Sequence, residues 1–187
     1  MIRWITIILC LLGIVGGGLY LGRPFLPDQI AQPLGLRSNL SEIRSRLQPK
    51  LQQALSEKEL EFGAPVYLRV FKEEAQLELW MRDGPQYRLF ETYDICNYSG
   101  DLGPKLREGD RQSPEGFYNV TQDALNPKSS YHLSFNLGFP NTYDQQLNRT
   151  GSYLMIHGNC VSVGCYAMTD AGIEEIYLLV EAALSHG

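Results

Sequence analysis

The stretch YLMIHGNCVSVGCYAMTD, from Tyr153 to Asp170, decides the fold and the site of this chain. Its apolar start, residues 153–156, predicts a buried strand that delivers His157 to its end. A short loop then leads to Cys165. A thiol carries out acyl chemistry only as a thiolate, so a thiol nucleophile needs a base or a cation nearby. His157 lies eight residues before Cys165, close enough along the chain to share a pocket with it.

The backbone around Cys165 also suits the stabilisation of a developing oxyanion. Gly164 allows a tight turn, so the amides of Gly164, Cys165 and Tyr166 are predicted oxyanion donors. Two plainer interpretations stay open on this pattern alone. A buried cysteine is usually a small hydrophobic residue, and a histidine at a strand end usually has a structural role.

The pair His157-Gly158, followed by the run from Ser162 to Cys165, resembles the active-site motif of the L,D-transpeptidase (YkuD) family. The resemblance implies an enzyme that attacks a peptidoglycan stem-peptide carbonyl beside meso-diaminopimelate. It implies Cys165 as the nucleophile, His157 as the base and the Gly158 carbonyl as the group that orients the imidazole. It also implies a thioester mechanism that uses neither a metal nor an organic cofactor.

Two positions differ from the usual motif of this family. Val163 stands where a histidine usually precedes Gly-Cys, and Ala167 stands where an arginine usually follows the cysteine. The short spacer and the run Gly-Cys-Tyr-Ala-Met resemble the YafK-type branch, whose members are linked to hydrolysis that releases lipoprotein from diaminopimelate. The resemblance therefore implies a hydrolase or amidase, with a true transpeptidase that forms 3→3 cross-links or attaches lipoprotein as the alternative.

Composition and charge restrict the possible partners. The chain has 187 residues, of which 44% are hydrophobic, which suits one packed domain plus a leader. Its net charge is −5, and no basic cluster exceeds two residues, which argues against nucleic acid as a partner. The resemblance implies the peptidoglycan stem peptide and wall-linked lipoprotein as partners, and the N-terminal segment described below adds a membrane.

Four cysteines are present: Cys10, Cys96, Cys160 and Cys165. If Cys165 is a free nucleophile, Cys96 and Cys160 are left as a possible disulfide, which requires an oxidising compartment. Two buried thiols are an equally good interpretation. A structural or zinc-binding wall module, with His157 and the last three cysteines as ligands, is the alternative from another class, although the spacing is not a usual zinc pattern.

The N-terminal part predicts an anchored, exported protein. Residues 5–22 run 18 residues without a charge, which predicts a signal anchor or a cleaved signal peptide over residues 1–22. Residues 23–63 are predicted to form a tether and a helical stalk, and residues 64–187 the catalytic domain. The expected location is the periplasmic face of the inner membrane, or the periplasm itself.

The hydrophobic pattern predicts a mostly β (α+β) domain, which the resemblance identifies as a YkuD-type β-sandwich behind the anchor and stalk. Alternation predicts strands over 66–71, 76–81, 86–93, 116–120 and 131–137. Helical spacing predicts a helix over 38–60, divided near Pro49, and a second helix after the nucleophile. In that second helix Ile173 and Ile176 belong to the buried stripe, and Glu174 is predicted to face water.

A loop-rich region, residues 94–114, is predicted to form the wall of the substrate site, because loops on a rigid sheet carry binding residues. Lys105, Arg107 and Arg111 are candidates to bind a stem-peptide carboxylate, and Ser162 is a further candidate substrate contact. His132 lies on a predicted strand outside the motif, and we interpret it as structural.

Overall fold

The structure, a computed structural model, describes residues 39–186. The predicted anchor and most of the predicted tether therefore lie outside the described residues. Within residues 39–186, no helix combines the length and the apolar character needed to span a membrane. The described residues form one compact unit that begins with the first helix.

That first helix, α1 (Leu40–Glu57), runs without a break through Pro49. Four residues spaced four apart, Ile43, Leu47, Leu51 and Leu55, are buried in the main core. Their burial stabilises the helix by roughly 6–12 kcal/mol as an upper estimate, which exceeds the cost of about 3 kcal/mol for a proline inside a helix. The predicted division at the proline is therefore wrong. The helix also packs into the core of the compact unit, which begins at Leu40, so the segment predicted as a stalk is buried against the domain.

The first sheet is an antiparallel meander of three strands, β1 (Val66–Phe71), β2 (Gln76–Asp83) and β3 (Gln86–Asp94). These strands agree with the predicted ones, including the turn at Gly84. Alternate residues of β2 are fully buried because one face of the strand packs on the core. This alternation explains why β2 could be predicted from the sequence.

The second sheet consists of short strands in the order β4–β8–β7–β6–β5. They are β4 (Asn97–Tyr98), β5 (Leu125–Asn126), β6 (Ser134–Asn136), β7 (Met155–His157) and β8 (Tyr166–Ala167). The segment predicted as a strand over 116–120 forms no strand, and the strand predicted over 131–137 is reduced to β6. The predicted strand over 153–156 is observed two residues later, as β7.

Two further helices complete the unit, α2 (Thr142–Gln146) and α3 (Asp170–His186). The Thr169 hydroxyl accepts a hydrogen bond from the Gly172 amide and caps α3. Helix α3 contacts β1 of the first sheet and β6 and β7 of the second, so it joins both sheets. Among the described residues, helices contain at least as many residues as strands. The fold class is therefore mixed α/β rather than mostly β.

The connection between β7 and β8 fixes the position of the motif. These two strands pair in parallel, with His157 opposite Ala167, yet only residues 158–165 connect them. Parallel neighbours usually need a crossover of a dozen or more residues. The short connection turns back through left-handed backbone at Asn159, Cys160 and Gly164, whose φ angles are 68°, 48° and 92°. A glycine adopts this conformation without steric cost, whereas the two non-glycine residues are held there by their surroundings.

Candidate active site

His157 ends β7 in a buried position, with 3% of its surface exposed. Its Nδ1 lies 2.7 Å from the carbonyl oxygen of Gly158. A carbonyl can only accept, so Nδ1 carries the proton and the Nε2 lone pair is left to accept another. The Tyr131 ring packs against the imidazole, with centroids 4.9 Å apart. Burial lowers the pKa of His157 and outweighs the opposing effect of the Gly158 carbonyl, so the neutral base is favoured.

Cys165 lies directly before β8, and its partly exposed thiol is free. The Sγ atom accepts a hydrogen bond from the Met155 amide at 3.4 Å and lies 3.7 Å from the carbonyl oxygen of Tyr153. Burial raises the pKa of the Cys165 thiol, while the Met155 amide and the Lys105 ammonium act in the opposite direction. The thiol is thus protonated at rest and still accessible to a substrate.

The parallel register brings His157 and Cys165 to neighbouring strands on one face. Extending the pairing back by one residue places Cys165 opposite Met155, two residues before His157. Side chains alternate along a strand, so His157 and Cys165 point to the same side. Strand spacing of about 4.8 Å and a rise of about 3.3 Å per residue place their Cα atoms about 8 Å apart. With the two pKa values shifted in opposite directions, the resting pair is a neutral thiol beside a neutral imidazole.

Three serines hold the backbone of Cys165. Its carbonyl oxygen accepts hydrogen bonds from Ser113 Oγ at 2.8 Å and from Ser162 Oγ at 2.7 Å. Its amide donates to Ser162 Oγ at 3.1 Å, and Ser99 Oγ lies 3.0 Å from the same atom. The Ser162 hydroxyl has one hydrogen to donate and two lone pairs, so these contacts use all of its capacity. These contacts hold the Ser162 side chain in the turn around Cys165, and a contact of Ser162 with substrate stays a prediction.

The same contacts distinguish among the three predicted oxyanion donors. The Cys165 amide is engaged by Ser162, and Tyr166 lies within β8, between β4 and β7. The amide of Gly164 is buried, and among residues 39–186 it has no hydrogen-bond acceptor. A buried amide without a partner is costly and available to a ligand. Of the three predicted donors, Gly164 is the one that is free to meet an oxyanion.

Cys96 and Cys160 are joined by a disulfide, with their Cα atoms 5.2 Å apart. The bond ties the short β7–β8 connection to the residues before β4. It also removes two of the four ligands of the alternative zinc site, because a disulfide sulfur is not a thiolate donor. Within residues 39–186, no group of three His, Cys, Asp or Glu side chains is arranged to hold a metal.

Lys105 is buried close to Cys165, but its charge is already paired. Its Nζ contacts Asp110 Oδ1 at 2.5 Å and the Arg107 carbonyl oxygen at 3.0 Å. The side chain passes over Gly151, where a Cβ would come within 2.4 Å of Lys105 Cε. Lys105 therefore stabilises the loop from which it was predicted to bind substrate. A substrate carboxylate would have to share the Lys105 ammonium with Asp110.

Asp110 organises the same loop from its other side. Its carboxylate accepts hydrogen bonds from the amides of Leu106, Arg107 and Gln112. Burial opposes ionisation, but these donors and Lys105 outweigh it and hold the pKa of Asp110 well below its ordinary value. The side chains of Arg107 and Arg111 are exposed at this loop, so of the three predicted cations these two are accessible to a ligand.

Sequence reasoning missed the positioning residues of the site. Ser113 is fully buried and bonds the Cys165 carbonyl from 52 residues away, and Tyr131 covers His157 from a turn that was expected to be a strand. A local motif carries no signal for such contacts, because they depend on tertiary packing.

Comparison with known proteins agrees with this geometry. The family model described as YkuD, L,D-transpeptidase catalytic domain, matches residues 65–183. Over 125 residues the chain is 55% identical to YafK of Escherichia coli strain K12 and of Escherichia coli O157:H7, which is named as an L,D-transpeptidase. The match covers 67% of this chain and 51% of YafK, so the chain spans about half the length of these curated relatives.

A solved structure supports the fold alone. The crystal structure of the helical cell shape determining protein Pgp2 from Campylobacter jejuni superposes with a TM-score of 0.52 at 23% identity. The superposition covers 70% of this chain and 51% of that chain. From the matched residues, the motif and the arrangement of His157 and Cys165, the chain belongs to the YkuD family of L,D-transpeptidase catalytic domains.

Proposed function

We propose that this protein is a cysteine enzyme that cleaves amide bonds at meso-diaminopimelate in peptidoglycan stem peptides, with net hydrolysis that releases wall-linked lipoprotein. The observation that carries the proposal is the orientation of His157. Its Nδ1 is bonded to the Gly158 carbonyl oxygen at 2.7 Å, so the basic Nε2 is left for the thiol of Cys165 on the next strand. This is the arrangement that a neutral thiol–imidazole pair needs for acyl transfer.

In the first half-reaction the Cys165 thiol gives its proton to His157 Nε2 while Sγ forms a bond to the substrate carbonyl carbon. The oxyanion is stabilised by the buried amide of Gly164. The C–N bond then breaks, and the departing amine takes the proton from Nε2. The products of this half are a thioester on Cys165 and a free amine, which in the proposed substrate belongs to the lipoprotein.

In the second half-reaction water adds to the thioester carbonyl and gives a proton to His157 Nε2. The C–S bond breaks, and the Cys165 thiolate takes the proton back. A transpeptidase would use an amine instead of water at this step. It would have to bind a second stem peptide and keep water out.

Two features of the site favour water as the acceptor. Ala167, which stands where the family usually has an arginine, is fully buried in β8 and offers neither a hydrogen bond nor a charge to a second peptide. The connection over 158–165 is short, and its side chains Val161 and Val163 are 50% and 75% exposed. A shallow, open site lets water compete for the thioester.

The proposal places the protein on the periplasmic side of the inner membrane, as the predicted N-terminal anchor requires. A disulfide between Cys96 and Cys160 supports an oxidising compartment. Membrane attachment can be measured by whether the full chain sediments with the membrane fraction and resists extraction by high salt.

The reaction is tested by incubating the full chain with lipoprotein-loaded peptidoglycan and with bare peptidoglycan, and identifying the products by mass spectrometry. We expect free lipoprotein from the first substrate and few new 3→3 dimers from the second. The matched control is Cys165→Ala, which keeps the fold but lacks the nucleophile. Dominant 3→3 dimers without released lipoprotein would identify an ordinary transpeptidase, and no product from either substrate would refute the catalytic proposal.

A further inference from the structure

A second histidine, His132, lies behind the catalytic one and is held by two carboxylates of α3. Its Nε2 lies 2.8 Å from Glu174 Oε1, and its Nδ1 lies 4.0 Å from Asp170 Oδ2. The side chains of His132 and Glu174 are 14% and 10% exposed, so this contact is largely shielded from water. Arg46 of α1 pairs with the other oxygen of Glu174 and so holds that carboxylate in place from the opposite side.

The backbone of His132 is in the left-handed region, with φ 71°. For a residue with a Cβ this conformation is sterically unfavourable, so the surrounding contacts of His132 must hold it. Because of this turn, the carbonyl oxygens on both sides of His132 face one amide. The Gly158 amide donates to the carbonyl oxygen of Tyr131 at 3.0 Å and to that of Leu133 at 3.2 Å.

The same turn reaches the imidazole of His157 directly. The Tyr131 ring packs on it with centroids 4.9 Å apart. The carbonyl oxygens of Tyr131 and Leu133 hold the amide of Gly158, the residue whose own carbonyl oxygen bonds the imidazole. Asp170, the second carboxylate near His132, accepts a hydrogen bond from the Asn159 amide at 2.8 Å. The segment on each side of Gly158 is therefore tied to α3 through these side chains.

The space behind Gly158 is too small for a side chain. A Cβ at this position would lie 2.7 Å from Asp170 Oδ1 and 3.0 Å from His132 Cβ. The backbone at Gly158, next to His157, is thus in close contact with His132 and Asp170.

We propose that His132 is a positioning residue for His157. Through its contact with Glu174, His132 holds the left-handed turn that packs Tyr131 on the imidazole and fixes the Gly158 peptide. As a result, His157 Nδ1 keeps its carbonyl partner and Nε2 points at the thiol. The role assigned to Nε2 rests on the proposed function, whereas the effect on the His157 ring does not. His132 is then more than the structural residue that its sequence position suggested.

The test uses the full chain and the imidazole signals of its three histidines, His132, His157 and His186, in nitrogen-correlated NMR. The wild type should show His157 as the Nδ1-H tautomer. In His132→Asn, which tolerates left-handed backbone but cannot reach Glu174, we expect loss of this single tautomer and a rise of the His157 titration midpoint toward its ordinary value. Glu174→Gln should give the same change in a smaller amount. The matched control His186→Asn, at the far end of α3, should leave His157 unchanged.

Turnover supplies the second readout. We expect His132→Asn to lower kcat about 10-fold with little change in KM, because substrate contacts are kept while the base is misdirected. Tyr131→Ala tests the same route without altering His132, and Tyr131→Phe should restore the wild-type value. An unchanged His157 signal in His132→Asn, Glu174→Gln and Tyr131→Ala would overturn the proposal. A wild-type protein with the expected tautomer but no activity on peptidoglycan would instead refute the proposed function and leave the positioning role intact.

Discussion

Removing the disulfide between Cys96 and Cys160 should destabilise the protein strongly, because the bond closes a long loop. The two residues are 64 positions apart. In the chain-entropy model a loop of this length lowers the entropy of the unfolded chain enough to contribute about 4 kcal/mol to the free energy of unfolding at 25 °C. The double variant Cys96→Ala/Cys160→Ala should therefore lose about 4 kcal/mol, which corresponds to a shift of about 2 M in the urea midpoint.

The assay is equilibrium urea unfolding without reductant, followed by tryptophan fluorescence, with Cys165→Ala as the control that keeps the bond. The control should unfold at the wild-type midpoint. Because the amide of Cys160 still donates to the Met168 carbonyl at 3.3 Å, the β7–β8 connection should stay in place at low urea and the double variant should retain measurable activity. A loss below about 1 kcal/mol with an unchanged slope would refute the loop-closure argument. Complete inactivity of folded double variant would show that the bond itself shapes the site.

The remaining predictions concern the nucleophile, the base and the serine behind them. Cys165→Ala should abolish product formation at an unchanged urea midpoint, since no neighbouring group replaces the thiol; an active Cys165→Ala beside an inactive, folded Cys160→Ala would assign the nucleophile differently. His157→Ala should lower kcat by roughly 10²-fold or more, as loss of a general base does. Wild-type activity should fall as the pH decreases through the lowered pKa of His157, because the protonated imidazole can no longer act as a base. A kcat–pH profile without this fall on the acid side would contradict the assignment. Ser113→Ala removes one of two donors to the Cys165 carbonyl and should cost about 1–3 kcal/mol in urea unfolding, and a cost near zero would show that Ser162 alone suffices.

The first sheet and the helix after the nucleophile were predictable because their periodicity is local. Burial alternates over residues 76–81, and the stripe that includes Ile173 and Ile176 has helical spacing, so each pattern matches one structure. The second sheet was less predictable because its strands are two or three residues long. Such strands are defined by their partners, and their own sequence is too short to show a period.

The motif itself could be located from the sequence, but the contacts that hold it could not. His157 and Cys165 stand at a recognisable spacing, and the parallel pairing of β7 and β8 brings them together. Ser113 and Ser99, in contrast, reach the nucleophile turn from a loop-rich region without periodicity. Their contribution depends on hydrogen-bond geometry across the sheet, which no local pattern encodes.

Glu174 shows how the core and the site are connected in this fold. Its neighbours Ile173 and Ile176 face the core, so helical spacing alone placed Glu174 toward water, yet it is only 7% exposed. A buried carboxylate is tolerated when it is paired, and here Arg46 of α1 and His132 supply the partners. Replacing α1 by a free stalk would leave Glu174 with one partner fewer. Helix α1, which the sequence predicted as a stalk, therefore contributes through Arg46 and Glu174 to the turn that packs on His157.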